Sequence, residues 1–120
     1  MKYDIASALQ ELKPGAEWVL RGNNYSDLEW LDSSQTKPTE TEVTNKIAAL
    51  DAAEAMKLLR VERDARISKT DWRASSDLTL TDAWKTYRQA LRDLPAGSVP
   101  KLDSFNELDL TSVTWPTEPS

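Results

Sequence analysis

Ten charged residues gather where they could meet. Arg60, Arg63, Asp64 and Arg66 fall together, Asp71, Arg73 and Asp77 follow within a short stretch, and Arg88, Arg92 and Asp93 come later. A guanidinium presents a planar fork that a carboxylate accepts in two places, so such a set is suited to bidentate ion pairing. Arg63 with Asp71, and Arg88 with a carboxylate of the intervening turn, are the pairs expected to brace the structure. Catalysis by two carboxylates would need them at a fixed separation over a cleft. Nothing in the sequence points to one, so no catalytic residue is assigned and a non-enzymatic role is expected.

The missing residue types narrow the chemistry further. The 120-residue chain contains no cysteine and no histidine. Disulfides, thiolate–imidazole zinc sites, histidine general bases and cysteine nucleophiles are therefore excluded. The oxygen-ligand sets Asp71 with Asp77, and Asp103, Glu107 and Asp109, do not follow a calcium-loop spacing. Only three glycines occur, with no phosphate-binding loop among them. No metal and no cofactor are expected.

What the chain has in quantity is tryptophan: five, at positions 18, 30, 72, 84 and 115. Large aromatics anchor cores and interfaces alike. Trp18, Trp30 and Trp115 are expected at a partner surface; the alternatives are Trp18 and Trp30 across the strands or against the first helix, and Trp115 docked on the helices by a tail that folds back. Trp72, Trp84 and Tyr87 are expected in the core, with Arg63, Asp71, Arg88 and Arg92 holding it together.

The elements that must position these groups follow from periodicity. Ile5, Ala8, Leu9 and Leu12 mark a short amphipathic helix, capped by Asp4 and ended by Pro14-Gly15. Trp18 to Arg21 and Tyr25 to Leu31, separated by Gly22-Asn23-Asn24, read as a β-hairpin. Ser33 to Pro38 reads as a polar linker. Thr39-Glu40-Thr41-Glu42 is a capping box opening a helix to about Lys69, with no Gly or Pro inside it. Its stripe through Val43, Ile47, Leu50, Leu58, Val61 and Ala65 packs either within the chain or as a coiled-coil seam in a homo-oligomer, dimer or trimer.

A turn over residues 70–78 and a second capping signal, Thr79-Leu80-Thr81-Asp82, precede a helix to about Leu94, which Pro95-Ala96-Gly97 stops. Leu78 is placed to staple against Ala83. Trp84, Tyr87, Leu91 and Leu94 share one face, expected to pack on Leu58, Leu59 and Val61 with Trp72 closing the turn. Residues 96–120 read as an extended acidic tail ending in Trp-Pro. The fold class is mainly α with a small N-terminal β-hairpin. Its parts are a helix-plus-hairpin module (1–38), an antiparallel αα-hairpin (39–95) and the tail (96–120).

Charge is distributed unevenly along these parts. Residues 1–55 carry 5 basic and 10 acidic groups, residues 56–94 carry 9 and 6, and residues 95–120 carry 1 and 4, for a net charge of -5. The acidic balance argues against a nucleic-acid partner. No apolar run is long enough to span a membrane. Met1-Lys2-Tyr3-Asp4 opens without the apolar core of a signal peptide, so a cytosolic location is expected. The basic middle reads as a salt-bridged helical surface, or as a face that meets an acidic partner or the chain's own tail.

The second half also carries a recognisable pattern. Arg63-Asp64-Ala65-Arg66-Ile67, Thr70-Asp71-Trp72, Asp77-Leu78-Thr79-Leu80 and the run Trp84-Lys85-Thr86-Tyr87-Arg88-Gln89-Ala90-Leu91-Arg92-Asp93-Leu94-Pro95 resemble the tail assembly chaperone family of tailed bacteriophages. The closing Trp115-Pro116-Thr117-Glu118-Pro119 is similar to that family's ending. The front half resembles leader regions of small phage tail-fibre proteins. The resemblance implies a factor without catalytic residues that binds a phage tail-fibre or tail protein in the host cytoplasm during virion assembly. Its alternatives are a structural subunit of the mature tail or fibre, joined through the long helix, and a regulator that binds a host protein.

Overall fold

Local capping sets the first helix. In the computed structural model, which describes residues 3–74 and 79–119, α1 spans Ile5–Leu12. The Asp4 carboxylate accepts from the Ser7 amide at 2.9 Å and the Ser7 hydroxyl at 3.0 Å, satisfying an orphan donor of the first turn. Pro14 then fixes the second residue of a tight turn, and Gly15 takes the third at φ 77°, where a side chain would be strained. The Ala16 amide closes that turn on the Lys13 carbonyl at 3.1 Å.

The turn feeds an antiparallel pair, β1 (Trp18–Leu20) and β2 (Leu28–Trp30), in the register Trp18↔Trp30, Val19↔Glu29 and Leu20↔Leu28. The hairpin is present as expected, but the second strand is shorter. Tyr25 belongs to a 3₁₀ turn, Tyr25–Asp27, rather than to the strand. Its hydroxyl donates to the Pro38 carbonyl at 2.6 Å. Residues 33–38, read as a linker, are tied down instead. Asp32 accepts from the Ser34 and Gln35 amides, both at 2.8 Å, and from the Glu17 amide at 2.9 Å, while Trp30 Nε1 donates to the Gln35 carbonyl at 2.9 Å.

The expected capping box opens the long helix α2 (Glu40–Ser68). The Glu42 amide donates to Thr39 Oγ1 at 3.1 Å, and the Thr39 amide donates to the Glu42 carboxylate at 3.4 Å. The chain falls into two compact units, Met1–Ala53 and Glu54–Ser120, and α2 contributes to both. In the first unit Val43 and Ile47 of α2 bury against Ala8, Leu9 and Leu28, with Trp18, Tyr25 and Trp30 packed around them. A marginal two-stranded sheet is thereby stabilised by two helices.

In the second unit α3 spans Asp82–Asp93 and runs on into a 3₁₀ turn, Leu94–Gly97. Its cap is Thr81, whose Oγ1 accepts from the Trp84 amide at 3.4 Å, so the helix starts two residues later than a Thr79 cap would give. The proposed Leu78 staple lies outside the described residues, as does Asp77. Arg63 of α2 reaches the Arg92 carbonyl, and Arg88 reaches the Ile67 carbonyl, so the two helices run antiparallel. Trp84, Tyr87 and Leu91 form the core as expected, but they pack with Ile67, Leu80 and Trp115. Of the α2 residues assigned to this core, Leu59 is fully buried as expected, but Val61 is 61% exposed, because the inward stripe of α2 here carries Ala55 and Leu59.

Among its described residues the last segment has no α-helix, yet it is ordered locally. A bridge pairs Leu102 with Leu108, a 3₁₀ turn covers Leu110–Ser112, and Val113 is buried. No helix among the described residues is long and apolar enough to cross a membrane.

Candidate partner-binding surface

The turn after α2 is built around Thr70. Its hydroxyl donates back to the Ile67 carbonyl at 2.7 Å, and it accepts from Arg88 Nη1 at 2.6 Å. Both Thr70 and Arg88 are buried. The same Nη1 lies 3.1 Å from Asp71 Oδ1, so the expected pairing of Arg88 with a turn carboxylate is found. The expected Arg63–Asp71 pair is not. Arg63 bonds its neighbour Asp64 at 2.9 Å and the Arg92 carbonyl at 3.4 Å. Asp71 follows Thr70 directly, and the Arg88 fork that engages Thr70 takes it as well. Arg92 contributes that carbonyl; no ion pair of its side chain occurs among the described residues.

This clamp decides where the next tryptophan goes. Trp72 lies on the 3₁₀ turn Asp71–Ala74 and is 58% exposed, not core as expected. Arg73 stacks on it with its guanidinium carbon 4.4 Å from the ring centre, and on the buried Trp84 at 3.9 Å. Trp84 meets Tyr87 edge to face, centroids 5.7 Å apart. Trp72, Arg73, Thr79, Leu80, Thr81 and Trp84 line a cleft of about 110 Å³. An exposed aromatic, a cation held between two rings and a shallow cleft make a surface suited to an aromatic or apolar side chain with a carboxylate beside it.

The tryptophans assigned to a partner surface are only half available. Trp18 and Trp30 are cross-strand partners packed on the first unit's core. Trp115 packs on the second core, with the Arg66 guanidinium 4.0 Å from its ring centre and Nε1 donating to the Leu110 carbonyl at 3.1 Å. All three keep an edge in solvent. Sequence reasoning counted Arg73 among the charges of the turn but gave neither it nor Phe105 a site role. Arg73 could have been found from its place between Trp72 and Trp84 once Thr70-Asp71 was read as a turn. Phe105, the chain's single phenylalanine, sits in a segment with no periodicity to place it and is 80% exposed.

Two carboxylates near these surfaces are held ionised by their neighbours. Asp32 is lowered from the usual 3.8 to about 2, chiefly by the Glu17 amide, then by the Gln35 amide and by the Ser34 hydroxyl and amide. Asp109 is also lowered, first by the Thr111 hydroxyl and then by the Thr111 amide.

Taken together, capped helices, a small N-terminal hairpin and an arginine clamp between helix ends define a mainly helical protein. Residues 56–120, more than half of the chain, match the family described as phage tail assembly chaperone protein. The chain belongs to that family, which indicates a role in phage assembly and agrees with the pattern noted in its second half. Comparison with curated proteins and with solved structures gives no match.

Proposed function

We propose that the protein is a non-enzymatic chaperone that binds a tail or tail-fibre protein while the phage tail is built in the host cytoplasm. The observation that carries this is Trp72, exposed beside Arg73 within the stretch that the family model covers. An assembly chaperone must cover apolar surface on a client that has not yet reached its partners. A rigid aromatic with a stacked guanidinium does this at low entropic cost. The solvent edges of Trp18, Trp30 and Trp115 supply further contact.

Co-expression with the tail and tail-fibre proteins of the same phage, followed by size exclusion with light scattering, tests the reading. A co-eluting complex that Trp72→Ala weakens supports it. No complex with any of these proteins overturns it. A structural subunit joined through α2 is favoured only by the exposure of Val61, since Val43 and Ile47 of the same stripe are already buried in the first unit. Stoichiometric recovery from purified virions would establish that second reading.

A further inference from the structure

We propose that the turn around Phe105 is a preformed knob that seats in an apolar pocket with a basic rim on the client protein, an inference that rests on the chaperone reading above. Among the described residues Phe105 is the most exposed large apolar side chain, and Val99 and Leu110 of the same segment are exposed too. Half of the exposed large apolar residues among those described thus lie between positions 99 and 110. Single exposed apolar side chains are ordinary on protein surfaces. A ring carried outward on a fully braced turn is less so.

The bracing is specific. Asp103 Oδ1 accepts from the Phe105 amide at 2.8 Å and from the Glu107 amide at 3.0 Å. The Asp103 amide donates to the Glu107 carbonyl at 2.7 Å, and the Asn106 amide donates to the Asp103 carbonyl at 3.1 Å. Asn106 adopts φ 62°, a left-handed conformation that asparagine tolerates better than most residues. Below the turn the Leu102–Leu108 bridge and the Asp109 amide bonded to the Lys101 carbonyl at 2.8 Å close the base. The backbone that holds the ring is ordered before binding, so little freedom is lost when the ring is buried.

Charge selects the occupant. Asp103, Glu107 and Asp109 surround the ring in sequence, and residues 95–120 carry four carboxylates against one lysine. A pocket rimmed by Lys or Arg would gain both encounter rate and register from them. A second copy of the chain, whose middle carries 9 basic and 6 acidic groups, is the rival occupant that the test separates.

The test uses the full-length chain and the tail or tail-fibre protein recovered in the wild-type complex. Phe105→Ala is expected to weaken binding at least about tenfold with unchanged circular dichroism, since an exposed ring contributes little to folding. Phe105→Trp should retain binding. Glu107→Lys should slow association and flatten its dependence on salt. Binding by Phe105→Ala within about twofold of wild type overturns the knob while leaving the chaperone reading intact. If wild type binds no tail protein, both fall together. If Phe105→Ala instead abolishes a concentration-dependent self-association, the occupant is a second copy and the assignment to a client is wrong.

Discussion

Replacing Arg88 with methionine keeps the aliphatic stem and removes the fork that joins α3 to the end of α2. Three interactions go with it. The bond to Thr70 Oγ1, at 2.6 Å between buried groups, is charge-assisted and contributes about 1.5–3 kcal/mol. The contact with the Ile67 carbonyl, at 3.5 Å, is long and adds little. The ion pair with Asp71 has one partner largely in solvent and contributes about 0–1 kcal/mol. Relief of a desolvated charge offsets part of the sum, and Thr70 keeps its bond to the Ile67 carbonyl. The expected net cost is about 1–3 kcal/mol. Urea unfolding by far-UV circular dichroism measures it, and hydrogen exchange on peptides covering residues 63–95 assigns it to the second unit. A double-mutant cycle with Thr70→Val should return a coupling of about 1–2 kcal/mol. Coupling near zero, or a cost under about 0.5 kcal/mol, would refute the clamp and with it the reason given for the exposure of Trp72.

Trp84→Ala removes the ring that Tyr87 and Arg73 pack against, and should cost about 3–5 kcal/mol in the same unfolding assay; under about 1 kcal/mol would exclude it from the core. Trp115→Ala should cost less, about 1–3 kcal/mol, since the ring is half-buried and held by Arg66 and the Leu110 carbonyl; no change in thermal midpoint would mean that its docking adds nothing. Asp32 stabilises the first unit while ionised. That contribution is complete above its ordinary value of 3.8 and is lost as pH falls through about 2. The protection factors of the Glu17 and Gln35 amides, measured against their intrinsic exchange at each pH, should therefore fall over that window, and Asp32→Asn should remove the dependence. A titration midpoint for Asp32 at or above 3.8 would contradict it.

What could be read from the sequence was whatever depends on a few neighbouring residues. The Thr39/Glu42 box, the Asp4 cap and the Pro14-Gly15 turn each bond over three residues, so their signal is complete in one window. The face of α3 was legible because Trp84, Tyr87 and Leu91 repeat at helical spacing. What failed depended on where a turn aims the chain. Arg63 and Arg88 both had a claim on Asp71, and the buried Thr70 hydroxyl decided between them. The same turn sends Trp72 outward, against expectation, whereas Trp115 takes the docked one of its two expected positions. Phe105 had no pattern around it, and its exposure follows from the Asp103 side chain bonding two amides ahead of it.

The unequal exposure of the five tryptophans gives the protein an optical reporter of its own. Trp84 is sealed in the core and three others are partly shielded, so Trp72 should supply most of the long-wavelength emission and take most of the collisional quenching by iodide or acrylamide. Its position beside the Arg73 guanidinium should make negatively charged iodide the more effective quencher there. A partner that covers this turn would shift the emission to shorter wavelength without any label. Trp72→Phe would remove that response and leave the four other fluorophores as an internal reference.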